Sequence, residues 1–332
     1  MRRLLSLFCV LLFSCSSSDN TILVTNYGEA QGSYYHIKYM SDYGEDYHVG
    51  IDSILQKVDS SLSIYKSYSL ISKLNSQEQV KTDTLFNAVF FAAQRVFLES
   101  EGYFDCSISP LVDVWGFYDN TFKDFQSIDS IKVINILKNV GFQRIQLIDD
   151  SLVIPKNMTL DFNSIAQGFT VDLIADYLDS KKVNNYLIEV GGEILARGKN
   201  ADGDIWRIGV DKPLEDIHFT DRFQFILDLK DKALATSGNY RKFYEKDGIK
   251  YSHTINPFSG FPTNNRLLSV TVIHDDCMLA DAYATAFMVM GVEKTKQFVL
   301  ANTNIEIYLV YTGKSGDWET YVSPRMLERI IN

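Results

Sequence analysis

The sequence has 332 residues, 46% hydrophobic and 13% aromatic, with a mean hydropathy of -0.08, which is too apolar for a disordered chain and long enough for one large or two ordinary domains. Its 32 Lys and Arg against 42 Asp and Glu give a formal charge of -10 and a pI near 5.0, so no general basic surface exists to neutralise a nucleic-acid backbone. Six prolines, 19 glycines and the lack of an internal repeat exclude collagen-like, low-complexity and solenoid architectures.

The chain opens with the basic Met1-Arg2-Arg3, a short apolar run from Leu4 to Phe13, and Ser14-Cys15 before the polar Ser16 to Asn20. That run is far shorter than the roughly 20 apolar residues of a spanning helix, so 1–14 reads as an export signal. Leu12-Phe13-Ser14-Cys15 resembles a bacterial lipobox, although Phe13 is bulkier than that motif usually carries and leaves a simple secretory signal open. On the lipobox reading Cys15 becomes the lipidated first residue, 15–20 is a tether, and 21–332 is a single folded domain. Cleavage there removes two arginines and makes the mature chain still more acidic. Of the four cysteines, Cys106 and Cys277 then remain, and spacing does not decide whether they pair.

Ser33 to Met40 alternates as a strand, and Ile51, Ile54, Leu55, Val58 and Leu62 recur at helical spacing. Leu85 to Phe97 and Ile131 to Val140 are further helices. Ile145 to Ile148 and Leu152 to Ile154 flank Asp149-Asp150-Ser151 as a hairpin. Helical periodicity returns over Ser164 to Leu178, followed by strands at Tyr186 to Val190, Ile205 to Val210, Phe223 to Leu229 and Leu267 to Ile273. The chain finishes with helices at Ala280 to Met290 and Lys294 to Ala301, and strands at Ile305 to Tyr311 and Glu319 to Val322. Helices and strands mix without a regular βαβ beat, which predicts an α+β fold.

Chemistry concentrates late in the chain. Ala235-Thr236-Ser237-Gly238-Asn239-Tyr240-Arg241 is rich in small hydroxyl residues and glycine, as a phosphate-holding loop requires. Asp281 and Thr285 lie four apart on one helix face among small alanines. Such a pair can offer oxygens to a hard divalent cation, or simply cap and pack a helix. Leu160 to Gly168 leads a strand into a helix, and Gly191-Gly192 after a strand either lets a ring or phosphate approach the backbone or makes a bulge. His253, between Ser252 and Thr254, can contact phosphate or move a proton near neutral pH, or be structural. No G-x-G-x-x-G, Walker loop, C-x-x-C or H-E-x-x-H is present, which argues against nicotinamide dehydrogenase, P-loop NTPase and zinc enzyme.

In this order, the segments resemble the ApbE family of flavin transferases, the FAD:protein FMN transferases. The matching pieces are Asp59-x-x-Leu62-Ser63-x-Tyr65 with Ser69-x-Ile71-Ser72-x-Leu74-Asn75, then Phe104-Asp105-x-Ser107-x-x-Pro110-Leu111 running into Trp115-Gly116-Phe117. Leu160 to Gly168 with Asp172 follows, then Val190-Gly191-Gly192-Glu193-Ile194, Ala235 to Arg241, Ser252 to Pro257, and Ala280 to Ala286 ending in Val289-Met290-Gly291. Three positions depart from the family's habit: Gln31-Gly32-Ser33 stands for Met-Gly-Thr, Gln167 for a frequent lysine, and Asn256 for aspartate.

The resemblance implies two α/β lobes around a cleft that holds FAD, with Mg2+ bridging its diphosphate to the protein. The metal ligands would be Asp281, Thr285 and the Ser164 backbone carbonyl. FAD contacts would come from Tyr65, Tyr103, Phe104, Asp105, Asp161, Gln167 and Ile255, with His253 and Asp281 as catalytic residues. The implied reaction moves FMN from FAD to a threonine hydroxyl of an exported acceptor flavoprotein, of the kind found in membrane redox complexes, and releases AMP. Two alternatives share the site: a Mg2+-dependent FAD diphosphatase giving FMN and AMP, and a non-catalytic FAD-binding lipoprotein. The expected location is the cell envelope, lipid-anchored at the periplasmic face of the inner membrane.

Overall fold

The computed structural model describes residues 21–118, 130–213, 222–239, 243–246, 249–252 and 254–331, so the export-signal and tether expectations for 1–20 lie outside the described residues. The first element is a hairpin of β1 (Thr21–Ala30) and β2 (Ser33–Asp42). Its two-residue turn, Gln31-Gly32, has φ of 52° and 71°, as a tight hairpin requires. β1 has no counterpart among the sequence-predicted strands, because it is a sheet-edge strand whose exposed side chains show no clean alternation.

Three helices follow: α1 (His48–Leu62), α2 (Leu70–Asn75) and α3 (Thr84–Glu99). α1 buries Ile51, Leu55, Val58 and Leu62, the face its periodicity predicts. Ser69 and Asp83 cap α2 and α3 by accepting the N–H groups of Ser72 (3.1 Å) and Phe86 (2.8 Å). Then come α4 (Ser109–Val114), α5 (Ser130–Leu137) and the small hairpin of β3 (Gln146–Ile148) and β4 (Ser151–Val153). The second half contains α6 (Ala166–Ser180), β5 (Tyr186–Val190), β6 (Glu193–Arg197), β7 (Trp206–Asp211), β8 (Phe223–Leu229) and β9 (Lys232–Gly238). It continues through β10 (Phe243–Lys246), β11 (Ile249–Ser252), β12 (Leu267–His274), α7 (Cys277–Met290) and α8 (Val292–Ala301). The last elements are β13 (Glu306–Thr312), β14 (Trp318–Val322), α9 (Pro324–Leu327) and β15 (Ile330–Ile331).

An eight-stranded antiparallel sheet, in the order β1-β2-β5-β6-β9-β12-β13-β14, draws its strands from both ends of the chain. Strand alternation sends Leu195, Ala233, Val270, Val272, Ile307 and Leu309 to the face covered by helices. The intervening Ile194, Leu234, Ile273, Tyr308 and Val310 pack against Trp206, Ile208, Val210 and Leu227 of a three-stranded sheet, β15-β8-β7. The fold is therefore α+β, as the sequence predicts. No helix among the described residues is long and apolar enough to cross a membrane.

α7 is the central helix: 11 of its 14 residues are buried, so its sequence is apolar nearly all round and its one carboxylate, Asp281, lies in the interior. It crosses α6 at Gly168, where a Cβ would lie 2.4 Å from the Cys277 carbonyl oxygen and 2.9 Å from Asp281 Cβ. Only glycine allows that approach. Asp172 completes the joint by accepting the N–H groups of Cys277 (2.9 Å) and Met278 (2.8 Å), the first two residues of α7.

Two sequence readings are corrected. Ala235 to Gly238 is not a loop but the end of β9, in the middle of the sheet, with Ala235 wholly buried and Thr236, Ser237 and Gly238 lining a cavity. Gly191-Gly192 is not a bulge but the turn joining β5 to β6, with φ of 67° and 112° and Val190 paired to Glu193. Cys106 and Cys277 are both free thiols, buried in different hydrophobic clusters.

Candidate active site

A cavity of about 690 Å³ opens where the β1–β2 turn, the β5–β6 turn, the start of α6 and one face of α7 meet the loops after α1 and α3. Such a volume suits a small-molecule or cofactor site. Tyr65, Tyr103, Phe104, Asp105, Asp161, Ser164, Gln167, Ile255, Asp281 and Thr285 all line it. Residues as far apart in sequence as Tyr65 and Thr285 thus meet in one cavity. His253 lies outside the described residues.

One wall is built by helices and the sheet. Asp281 is 6% exposed, and its Oδ2 accepts the Gly168 N–H at 3.1 Å. The first turn of α6 is therefore closed by a side chain from α7, and not by the Ser164 carbonyl four residues back. An anion is favoured there by the helix's N-terminal N–H groups, yet burial still pushes the Asp281 carboxyl up to about 7. Thr285 follows one turn later on the same face. Gln167, in the first turn of α6, packs on the β5–β6 turn, where a Cβ at Gly191 would lie 2.2 Å from its Nε2. Glu193 enters the same cavity from β6.

The opposite wall is built by loops. Tyr65 stands on the turn after α1, its ring edge-on to Tyr118 with centroids 6.3 Å apart, and its hydroxyl accepts from Asn163 Nδ2 at 3.3 Å. Asp105 Oδ1 accepts from the Ser107 N–H (2.7 Å) and hydroxyl (2.6 Å), and Oδ2 from the Phe142 N–H (3.2 Å). Asp161 accepts from the Tyr118 hydroxyl (2.6 Å) and the Asn163 N–H (2.7 Å). Burial raises both carboxyls while these bonds oppose it. Phe104 and Ile255 are buried, whereas Tyr103 meets Phe258 edge-on at 5.0 Å.

Charge decides what this cavity can hold. Among the described residues its lining includes seven carboxylates and one guanidinium, Arg222, which is itself bound through Nε and a terminal nitrogen to Asp211 at 2.7 and 2.9 Å. A phosphorylated ligand would be repelled without an accompanying cation. The available donors at the α6–α7 joint are oxygens: the Asp281 carboxylate, the Thr285 hydroxyl and the Ser164 carbonyl, a set that fits a hard divalent ion. A buried Glu193 oxygen without a hydrogen-bond partner points the same way. No group of three or more His, Cys, Asp or Glu converges among the described residues, so such an ion would complete its shell with hydroxyl, backbone, ligand and water oxygens.

The profile of the ApbE family matches residues 31–309, which include every residue of this cavity. The chain belongs to the ApbE family. It is 35% identical over 314 residues to the FAD:protein FMN transferase of Vibrio cholerae serotype O1, covering 91% of each chain. It is 31% identical over 320 residues to the FAD:protein FMN transferase of Haemophilus influenzae, covering 92% of this chain and 90% of that one. The structure of the flavin transferase ApbE from Vibrio cholerae superposes with a TM-score of 0.83 at 34% identity, over 93% of this chain and 99% of that chain. The apo flavinyl transferase ApbE of Pseudomonas stutzeri gives a TM-score of 0.83 at 31% identity, over 93% and 97%.

Sequence reasoning assigned no role to three residues of this ApbE site. Tyr118 directly follows the Trp115-Gly116-Phe117 motif, and that adjacency was its only signal. Glu193 lies within Val190-Gly191-Gly192-Glu193-Ile194, but that order of residues does not show that its side chain shares a cavity with Asp281. Arg222 carried no signal, because the pairing of β7 with β8 brings it to Asp211.

Proposed function

We propose that this ApbE-family chain is an enzyme that moves FMN from FAD onto a threonine hydroxyl of an acceptor protein, with Mg2+ at the α6–α7 joint. The observation that carries the reading is the pairing, in one cavity, of an oxygen-rich acidic wall with an aromatic one. The threonine Oγ attacks the FMN-side phosphorus of FAD, the bond from that phosphorus to the bridging oxygen breaks, and AMP leaves. Phosphoryl-type transfer depends on alignment and on offsetting developing negative charge. Mg2+ held by Asp281, Thr285 and the Ser164 carbonyl would offset the diphosphate charge and stabilise the leaving oxygen.

The protein's own groups orient and enclose. Tyr65, Tyr103 and Phe104 form apolar surface for the isoalloxazine, while Asp105 and Asp161 hold the loops that carry them. Gln167 and the β5–β6 turn border the phosphate side with neutral groups. His253 is assigned, on its sequence setting and the family resemblance, to assist removal of the hydroxyl proton. The acceptor is proposed to be an exported redox protein. The enzyme would meet it from a lipid anchor at Cys15, at the periplasmic face of the inner membrane.

The test is incubation of the chain with FAD, Mg2+ and an acceptor bearing a threonine segment, followed by intact-mass measurement. An acceptor heavier by one FMN, with AMP released in equal amount, is the expected result. FMN and AMP with an unlabelled acceptor would assign a diphosphatase. FAD retained unconverted would assign a carrier.

A further inference from the structure

Four acidic residues are buried among the described residues: Asp161, Glu193, Asp281 and Glu306. Asp161 is bonded to Tyr118 and Asn163, Glu306 accepts two bonds from Arg329 at 2.7 and 3.0 Å, and Asp281 accepts from Gly168. Glu193 differs. It is 8% exposed, and its Oε2 has no hydrogen-bond partner. Leaving a buried charged oxygen unpaired costs more than leaving a neutral group so, and native proteins rarely tolerate it without a ligand or ion.

Its position limits what can fill that place. Glu193 is the first residue of β6, held by the two-glycine turn, and β6 packs on both α6 and α7. The side chain lines the cavity together with Asp281. Arg222, the one cation lining the cavity among the described residues, is engaged by Asp211. Two buried carboxylates face one space, and among the described residues no free cation stands between them.

We propose that Glu193 is a further member of the cation site, supplying from the sheet side a second carboxylate that faces Asp281 across the ion. This rests on the Mg2+ reading above. Glu193 is a binding residue of the ion site, and its partner is a hard divalent cation and not a phosphate or a basic side chain.

The test is Mn2+ titration, followed by electron paramagnetic resonance of the free ion, on the whole mature chain saturated with FAD and without acceptor. Glu193→Gln should bind Mn2+ roughly 10- to 100-fold more weakly than wild type, the range for groups that support metal ligands. Glu193→Asp, which keeps the charge on a shorter stem, should recover part of that loss. Wild-type affinity in Glu193→Gln, beside lost affinity in Asp281→Asn, would overturn this inference alone and leave Glu193 holding at most a water. Equal affinities in the Gln and Asp variants would also overturn it, since shape and not charge would then matter. A wild-type chain that takes up no Mn2+ would instead remove the cation reading itself. Unchanged melting of metal-free Glu193→Gln, with the weaker binding, separates site loss from misfolding and supports the assignment.

Discussion

The two walls of the cavity contain the same kind of residue and use it differently. On the loop wall, the Asp105 and Asp161 carboxylates each accept three bonds, from Ser107 and Phe142 and from Tyr118 and Asn163, so they build the loops that present Tyr65, Tyr103 and Phe104. On the helix wall, Asp281 has one bond from Gly168 and Glu193 Oε2 has none, so oxygen lone pairs remain directed at whatever enters. Being an acid in a family motif therefore does not distinguish a scaffold residue from a ligand. Its unfilled hydrogen-bonding capacity does.

The sharpest way to break this contrast is Asp281→Ala, which removes a central oxygen of the helix wall. FMN transfer should fall by about three orders of magnitude or more, as expected when several kcal/mol of charge stabilisation is lost. The rate of adduct formation by mass measures it, and near-normal turnover would show that the helix wall is also scaffold. Gly168→Ala tests whether the joint must be close: the added methyl meets the Cys277 carbonyl, so stability should drop by about 1–3 kcal/mol and transfer should fall with it. Thermal melting beside the transfer assay reads both.

Asp105→Asn probes the other wall and should behave in the opposite sense. Denaturant unfolding should show a loss of about 1–3 kcal/mol, as the amide keeps one oxygen for Ser107 but turns an NH2 donor toward the Phe142 N–H. The FAD Kd should move by less than about tenfold. A large loss of FAD affinity in a stably folded variant would make Asp105 a direct ligand.

The smallest effect is on pH. Burial raises the Asp172 carboxyl from 3.8 to about 7, so from about pH 4 to about pH 7 the native state holds a proton that the unfolded chain has released. Stability of the metal-free protein should decline as pH rises through that window. Melting at a series of pH values should show a shallower slope in Asp172→Asn, and identical slopes would remove Asp172 from the account.

Helices α1 and α3 were legible because a buried stripe leaves a 3.6-residue period along the chain itself, whereas α7, apolar nearly all round, showed as a long run of small and apolar residues. β9 was not: Ala233, Leu234 and Ala235 are buried on both faces of a central strand, so no alternation survives, and its small residues imitate a loop. β6 was hidden for the same reason, with Glu193 to Ala196 all buried.

The amino-acid order alone determined the fold class, most of the helices, the family resemblance and the residues that would share a site, because periodicity and motif spacing are properties of neighbours along the chain. Only the tertiary structure decided which carboxylates are already bonded and which stay open. That outcome depends on partners from remote segments: Phe142 for Asp105, Tyr118 for Asp161, Gly168 for Asp281, and no protein group for Glu193 Oε2. Hydrogen bonds act over about 3 Å in space and are blind to sequence separation, so the folded arrangement alone reveals which oxygens remain for a ligand.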